Sequence, residues 1–187
     1  MKTILQTTRL LLRELTEEDE FSIRRLLQDK ETMYAYEHAF SDEEVLAWLN
    51  NQLRRYREEG CGLWAVILKA TGNIIGQCGL TLQPYNGERV LEVGYLLEKE
   101  YWHRGYAIEA ADACKRYAFD RLGAEIVYSI IRDNNFPSQK VALRNGMHPC
   151  GTLIKQYYGL QMPHLVYCIS KQEMMQQDLT SSPFGSL

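Results

Sequence analysis

Glu92, the pair Arg104 and Gly105, and the pair Asn135 and Ser138 are the positions in this 187-residue chain where residue type and setting point to chemistry. In YWHRGYAIEA, Tyr101 to Ala110, a cation and a glycine stand directly before a run of helix formers. Inside a helix a glycine costs roughly 1 kcal/mol relative to alanine, so Gly105 marks a junction. Where a buried strand passes through a short loop into a helix, the first helical N–H groups lack partners. The macrodipole adds about half a positive charge there, and a phosphate can satisfy several donors together. Gly105 would let the backbone approach such an anion, and Ala107 would keep the helix start open. A plain strand-to-helix turn is the simpler reading of RGYA alone. Neither GxxxxGK[ST] nor GxGxxG with a following acid is present, which argues against nucleoside triphosphates and dinucleotides.

Glu92 is the ionisable residue early in the apolar stretch VLEVGYLLE, Val90 to Glu98. Desolvation among Val90, Val93 and Tyr95 would raise its pKa toward a range useful for proton transfer. The alternative is a solvated strand start or a pairing with Arg89.

The elements that must hold these residues follow from periodicity. A short strand around Leu10 to Leu12 precedes TEED, Thr16 to Asp19, a capping sequence leading into Phe21, Leu26 and Leu27. A capping box, Ser41 to Glu44, opens a helix with Val45, Trp48, Leu49, Gln52 and Leu53 at 3–4 spacing. Two apolar strands then flank the turn Thr71 to Asn73, and PYNGER, Pro84 to Arg89, leads into the Glu92 strand. From Ala107 a helix buries Ala110, Ala111, Cys114 and Ala118 and ends at Gly123. A strand from Glu125 to Ile131, a helix from about Pro137 to Gly146, and strands near Leu153 and from Leu165 to Ser170 complete the order β-α-α-β-β-β-α-β-α-β-β. That order predicts an α/β fold with a single mixed, mostly antiparallel central sheet flanked by helices. Residues 1–175 are expected as one domain and 176–187 as a flexible C-terminal tail.

A net charge of -3 gives no electrostatic footprint for nucleic acid or an anionic membrane. No apolar run approaches the ~20 residues of a membrane span, and the N-terminus lacks a signal-peptide core. Cys61, Cys78, Cys114, Cys150 and Cys168 are widely spaced and form no CxxC, as expected of reduced, mostly buried thiols in a cytoplasmic protein. The four histidines show no metal-ligand spacing, so no metal is expected.

With these residues laid out, YWHRGYAIEA resembles the acetyl-CoA pyrophosphate loop of the GNAT superfamily of N-acetyltransferases, Q/R-x-x-G-x-G/A. Trp102 stands at the Gln/Arg position, and Gly105 and Ala107 at the two small ones. NNFPSQKVALRNGM, Asn134 to Met147, is similar to the family's N-x-x-S/A helix. TTRLLLREL and the strand near Tyr167 resemble the branch containing the ribosomal-protein alanine N-acetyltransferases. The likeness spans roughly Thr8 to Ser170.

The resemblance implies acetyl-CoA as cosubstrate. Pantetheine would pair with the backbone of Tyr95, Leu96 and Leu97. The pyrophosphate would rest on His103, Arg104, Gly105, Tyr106, Ala107 and Ile108, and Asn135 and Ser138 would line the thiol end. Asn135 is equally suited to be a helix N-cap. The implied reaction is direct attack of a primary amine on the thioester, with Glu92 accepting a proton, directly or through water, and a backbone N–H of Leu96 or Leu97 facing the developing oxyanion. Many relatives protonate the thiolate with a tyrosine where this chain has Ala142, which leaves Ser138 or water for that task. Pro163 before His164 stands at a place often acidic in that branch. Tyr34, Tyr36, Tyr157 and Tyr158 suit either an acceptor cleft or core and lid packing, and Arg104, Lys140 and Arg144 either phosphate contacts or a solvated face. The acceptor is expected to be a protein N-terminal amine or a small-molecule amine, and the protein a monomer or homodimer. A catalytically silent acetyl-CoA sensor is the alternative, and a ligand-free scaffold the third reading.

Overall fold

The computed structural model describes residues 2–181. Its strands are β1 (Thr3–Gln6), β2 (Leu10–Arg13), β3 (Leu63–Leu68), β4 (Ile74–Tyr85), β5 (Glu88–Leu97), β6 (Ile126–Arg132), β7 (His148–Tyr157) and β8 (Leu160–Ser170). They form one sheet in the order β1-β2-β3-β4-β5-β6-β8-β7. Every adjacent pair is antiparallel except β5 with β6, which is parallel. The helices are α1 (Glu20–Leu27), α2 (Asp42–Glu58), α3 (Tyr106–Arg121), α4 (Phe136–Arg144) and α5 (Lys171–Ser181). The mixed, mostly antiparallel sheet flanked by helices is the architecture that the order of elements predicts.

Apolar residues alternate to the two faces of the sheet and build two cores. On one face Leu10, Leu12, Trp64, Val66, Val93 and Leu97 pack with Ala110, Ala111, Cys114, Ala118 and Phe119 of α3. On the other, Ala65 packs with Ile23, Leu26 and Leu27 of α1 and Val45 and Leu49 of α2. The Ser41 capping box forms as the sequence predicts, with Ser41 Oγ accepting from the Glu44 N–H at 3.3 Å. Asp19 also closes a capping box with Thr16, and the Arg13 guanidinium grips both its oxygens, at 2.6 and 2.8 Å. Cys61, Cys78 and Cys114 are buried, while Cys150 is exposed.

Three features differ from the expectations. Phe21 is 74% exposed because Ile23, Leu26 and Leu27 supply the buried face of α1. β1 adds an edge strand that the polar Gln6, Thr7 and Thr8 conceal. Helix α5 runs through residues assigned to the tail, because Ser170 and Glu173 form a reciprocal cap and Met174 enters the core. Residues 182–187 of the expected tail lie outside the described residues.

One local device sets the position of Glu92. Asn86 (φ 51°) and Gly87 (φ 80°) both adopt the left-handed conformation that a two-residue hairpin demands, which fixes Tyr85 opposite Glu88. Counting inward, that register puts Glu92 directly across from Thr81.

Candidate active site

Parallel strands usually continue an evenly spaced ladder. Here β5 and β6 pair only at Glu92 and Tyr128. Past that point side chains bridge the gap: the Ile130 N–H donates to Glu92 Oε1 at 3.1 Å, and Ser129 Oγ donates to the Val93 carbonyl at 2.9 Å. The strands then part. Two cavities open at the fork, of about 460 Å³ and 360 Å³, and both are lined by Tyr36, Tyr95, Leu96, Asn135 and Ser138.

The larger cavity gathers Tyr95, Leu96, Leu97, His103, Gly105, Tyr106, Ala107, Ile108, Asn135 and Ser138, as well as Lys140 and Arg144. Of the residues predicted to meet coenzyme, Arg104 alone is not in its wall. The Arg104 guanidinium lies 5.9 Å from the Tyr101 ring centre. Gly105 is the N-cap of α3 at φ 79°, and His103 is also left-handed at φ 59°. A Cβ at Gly105 would meet only Arg9 Nη2, at 3.4 Å, so backbone conformation rather than crowding selects the glycine. Among the described residues no side chain caps α3, which leaves its first N–H groups to a ligand or solvent.

Two residues brace this loop. Trp102 Nε1 donates to the Leu97 carbonyl at 2.7 Å, tying the loop back to the end of β5. That contact gives the indole a task at the position where Gln or Arg is usual. Arg9 donates to Glu109 Oε2 at 2.6 Å and to the Arg104 carbonyl at 2.9 Å, and its guanidinium stacks 4.4 Å from the Tyr106 ring centre. Arg9 stands in the TTRLLLREL stretch, but nothing local connects it to a loop about 95 residues away.

The smaller cavity lies on the α2 side of the sheet and contains Glu92. Desolvation pushes the Glu92 pKa up, opposed by the nearby Lys155 charge, the Ile130 N–H, the Thr81 hydroxyl and Arg55. Thr81 Oγ1 donates to Glu92 Oε2 at 3.2 Å. Glu92 is therefore half-buried against its own hydrogen-bond donors rather than paired with Arg89, which binds Glu59. The walls include Phe40, Trp48, Tyr157, Tyr158 and His164. Burial lowers the His164 pKa, and its Nδ1 lies 2.8 Å from the Met162 carbonyl. Arg132 ion-pairs with Glu37 and donates to the Ala35 carbonyl, holding the segment around Tyr36 over the opening. Tyr158 donates to Glu44 at 2.8 Å and packs edge-on against His38, so the tip of the β7–β8 hairpin reaches the start of α2.

Asn135 does cap α4: its Oδ1 accepts from the Ser138 N–H at 3.2 Å and from the Tyr34 hydroxyl at 2.7 Å. The Ser138 carbonyl accepts from Tyr95 Oη at 2.7 Å, locking α4 to β5. Among the described residues no group of three or more His, Cys, Asp or Glu side chains could hold a metal, and no helix is long and apolar enough to cross a membrane.

Residues 9–148 match the acetyltransferase (GNAT) domain. The chain belongs to the GNAT acetyltransferase family. The uncharacterized protein YkkB of Bacillus subtilis is 34% identical over 155 residues, covering 82% of this chain and 90% of the relative. A solved acetyltransferase from Agrobacterium tumefaciens superposes with a TM-score of 0.76 at 28% identity, covering 91% of this chain and 95% of that one. RimL, a ribosomal L7/L12 alpha-N-protein acetyltransferase solved in complex with coenzyme A, shares the fold with a TM-score of 0.74 at 18% identity, over 90% of this chain and 98% of its own.

Proposed function

We propose that this protein transfers acetyl from acetyl-CoA to a primary amine, a protein N-terminal amine or a small molecule. The observation that carries this reading is the meeting of two cavities at the β5–β6 fork, one ending on the uncapped α3 N-terminus and the other holding Glu92. The larger cavity fits the coenzyme: backbone donors and small side chains at Gly105 and Ala107 suit pyrophosphate, with Lys140 and Arg144 nearby for further phosphate charge. His103, Arg104, Tyr106 and Ile108 would contribute backbone to that cradle, and Tyr95, Leu96 and Leu97 an open strand edge. Acetyl-CoA supplies an acetyl group activated as a thioester.

The chain's own work is then positioning and proton transfer. An ammonium group has a pKa near ~8 at a protein N-terminus and ~10.4 on an alkylamine like that of lysine, and it must lose a proton before nitrogen can attack. Glu92, with its pKa raised, takes that proton and leaves a neutral amine; as the C–N bond forms and the C–S bond breaks, the nitrogen sheds a second proton. The departing sulfur takes up one proton, matching the second one that the nitrogen sheds, and Ser138, in the wall of both cavities, is the candidate to relay it by donating its own proton and regaining that one. Asn135 fixes Ser138 by capping its helix.

Thermal denaturation with and without acetyl-CoA, followed by a free-thiol assay over amines and N-terminal peptides, tests this reading. Stabilisation together with amine-dependent thiol release is expected. Stabilisation without release from any acceptor would identify a coenzyme-binding sensor, and no stabilisation a protein that does not use the coenzyme.

A further inference from the structure

Among the described residues, three buried N–H donors on residues that line the Glu92 cavity have no hydrogen-bond partner: Gln77 Nε2, Arg55 Nε and Arg132 Nε. Buried polar groups are nearly always satisfied, and an unmet donor costs about 1–3 kcal/mol, so each such group calls for an explanation.

Gln77 is the most telling. It is 0% exposed, and its orientation is fixed because Trp48 Nε1, which can only donate, gives its hydrogen to Gln77 Oε1 at 3.1 Å. The amide nitrogen is thereby left without a partner among the described residues, in a residue that lines the cavity. Arg55 comes from the same helix as Trp48, one face of α2, and Lys155 enters from β7 across the cavity. Arg132 is already held by Glu37, so among the described residues Arg55 and Lys155 are the cavity's cations left for a ligand. The cavity's own carboxylate already holds one donor at each oxygen, Ile130 N–H at Oε1 and Thr81 Oγ1 at Oε2, which leaves its remaining lone pairs for an amine. The cavity is thus rich in donors and positive charge and short of acceptors.

Resting on the acetyltransferase reading, we propose that the acceptor is a small primary amine that also carries an anionic oxygen group, carboxylate or phosphate, bound by Gln77, Arg55 and Lys155 while its amine faces Glu92. A volume of about 360 Å³ suits a small molecule. Two or three oxygens match this donor set, where an added ammonium group would meet Arg55 and Lys155 with like charge.

The test compares four amines of matched length with the protein and acetyl-CoA: an ω-amino carboxylate, an aminoalkyl phosphate, an amino alcohol with no charge besides its amine and a polyamine, plus a short N-terminal peptide amide. Thiol release should show kcat/KM at least tenfold higher for the carboxylate or the phosphate than for the amino alcohol, and the better of the two identifies the anionic group. Arg55→Gln and Lys155→Gln should each collapse that ratio toward one, through KM, and two variants from different elements guard against one that folds poorly. Equal or better turnover of the amino alcohol, polyamine or peptide overturns the anionic acceptor and leaves the transferase reading standing. If no amine releases thiol, the transferase reading fails. Calorimetry of the same compounds against the protein with coenzyme A then decides the anion site alone: tighter binding of the carboxylate or phosphate than of the amino alcohol supports it, and no preference overturns it.

Discussion

The two cavities at the fork are comparable in size, about 460 and 360 Å³, yet they are made of different material. The larger is built around backbone: a parted strand edge, an uncapped helix start and a left-handed glycine, concentrated between Tyr95 and Ile108. The smaller is built from side chains drawn from α2, β4, β5, β6, β7, β8 and the segment around Tyr36. Backbone recognition needs only that nothing intrude, so it writes short patterns of small residues into the sequence. Side-chain recognition is assembled by the fold and can differ between chains that share one backbone. The contrast predicts that perturbing one cavity should leave the other's ligand largely unaffected.

Glu92→Gln should produce the largest effect. The amide retains an oxygen for the Ile130 N–H but cannot accept the amine's proton, so kcat/KM for the acceptor should fall by about 10²–10⁴, the usual worth of a general base. Acetyl-CoA affinity, read by calorimetry, should hardly change. The carboxyl must be ionised to act, so the parent's rate should fall as pH drops through a pKa above the ordinary ~4.3, and that acid limb should disappear in Glu92→Gln. Stability gives the sign independently. The folded protein holds this proton more tightly than the unfolded chain does, so the stability Glu92 contributes is present at acid pH and is lost as pH rises through the folded value. The melting temperature of Glu92→Gln should therefore exceed the parent's near neutrality, with the gap closing in acid. An unchanged rate and pH profile would remove Glu92 from the chemistry.

How much of this was legible follows the same division. The Asn86–Gly87 hairpin, the Ser41 box and the small residues of α3 are local signals, and they made the sheet and the glycine turn before α3 legible from sequence. Glu92 stood out because it interrupts an apolar strand. Helix α5 was missed although SKQE, Ser170 to Glu173, is a capping box in plain view, because the low apolar content after Met174 and Met175 reads as a tail. Arg9, Gln77, Arg55 and Arg132 could not be picked out. Each is an ordinary polar residue in its own neighbourhood, and only the fold brings Arg9 to a carbonyl 95 residues away or turns Gln77 by its bond to Trp48.

Gly105→Val probes the other cavity and should be intermediate in effect. The structure leaves room for a side chain on the protein's side, with Arg9 Nη2 at 3.4 Å as the nearest atom, so the fold should survive. Holding a non-glycine residue at φ 79° costs about 1–2 kcal/mol, and a β-branched one is the least tolerant of it. The new methyl groups would also crowd the helix start where phosphate is proposed to sit. Acetyl-CoA affinity should drop at least tenfold by calorimetry, while the ranking of amines at saturating coenzyme stays the same. A weaker fold with intact coenzyme binding would return Gly105 to the role of a turn.

Asn135 belongs to both cavities, so its substitutions sharpen the boundary between structural and chemical roles. Asn135→Ala removes the acceptor of the Ser138 N–H and strands the Tyr34 hydroxyl, which should cost about 1 kcal/mol and lower the melting temperature by about 2–4 °C for a domain of this size. Asn135→Asp keeps both hydrogen bonds and places a negative charge at the N-terminus of α4, where the helix dipole favours it, so stability should return in full or better. What the aspartate lacks is the amide N–H₂, the half of the side chain not used in capping. If that amide reaches the thiol end of the coenzyme, Asn135→Asp will be as stable as the parent yet show a raised KM for acetyl-CoA. If Asn135 is only a cap, stability and KM will recover together, and the split between them measures how far the proposed coenzyme cavity depends on this side chain.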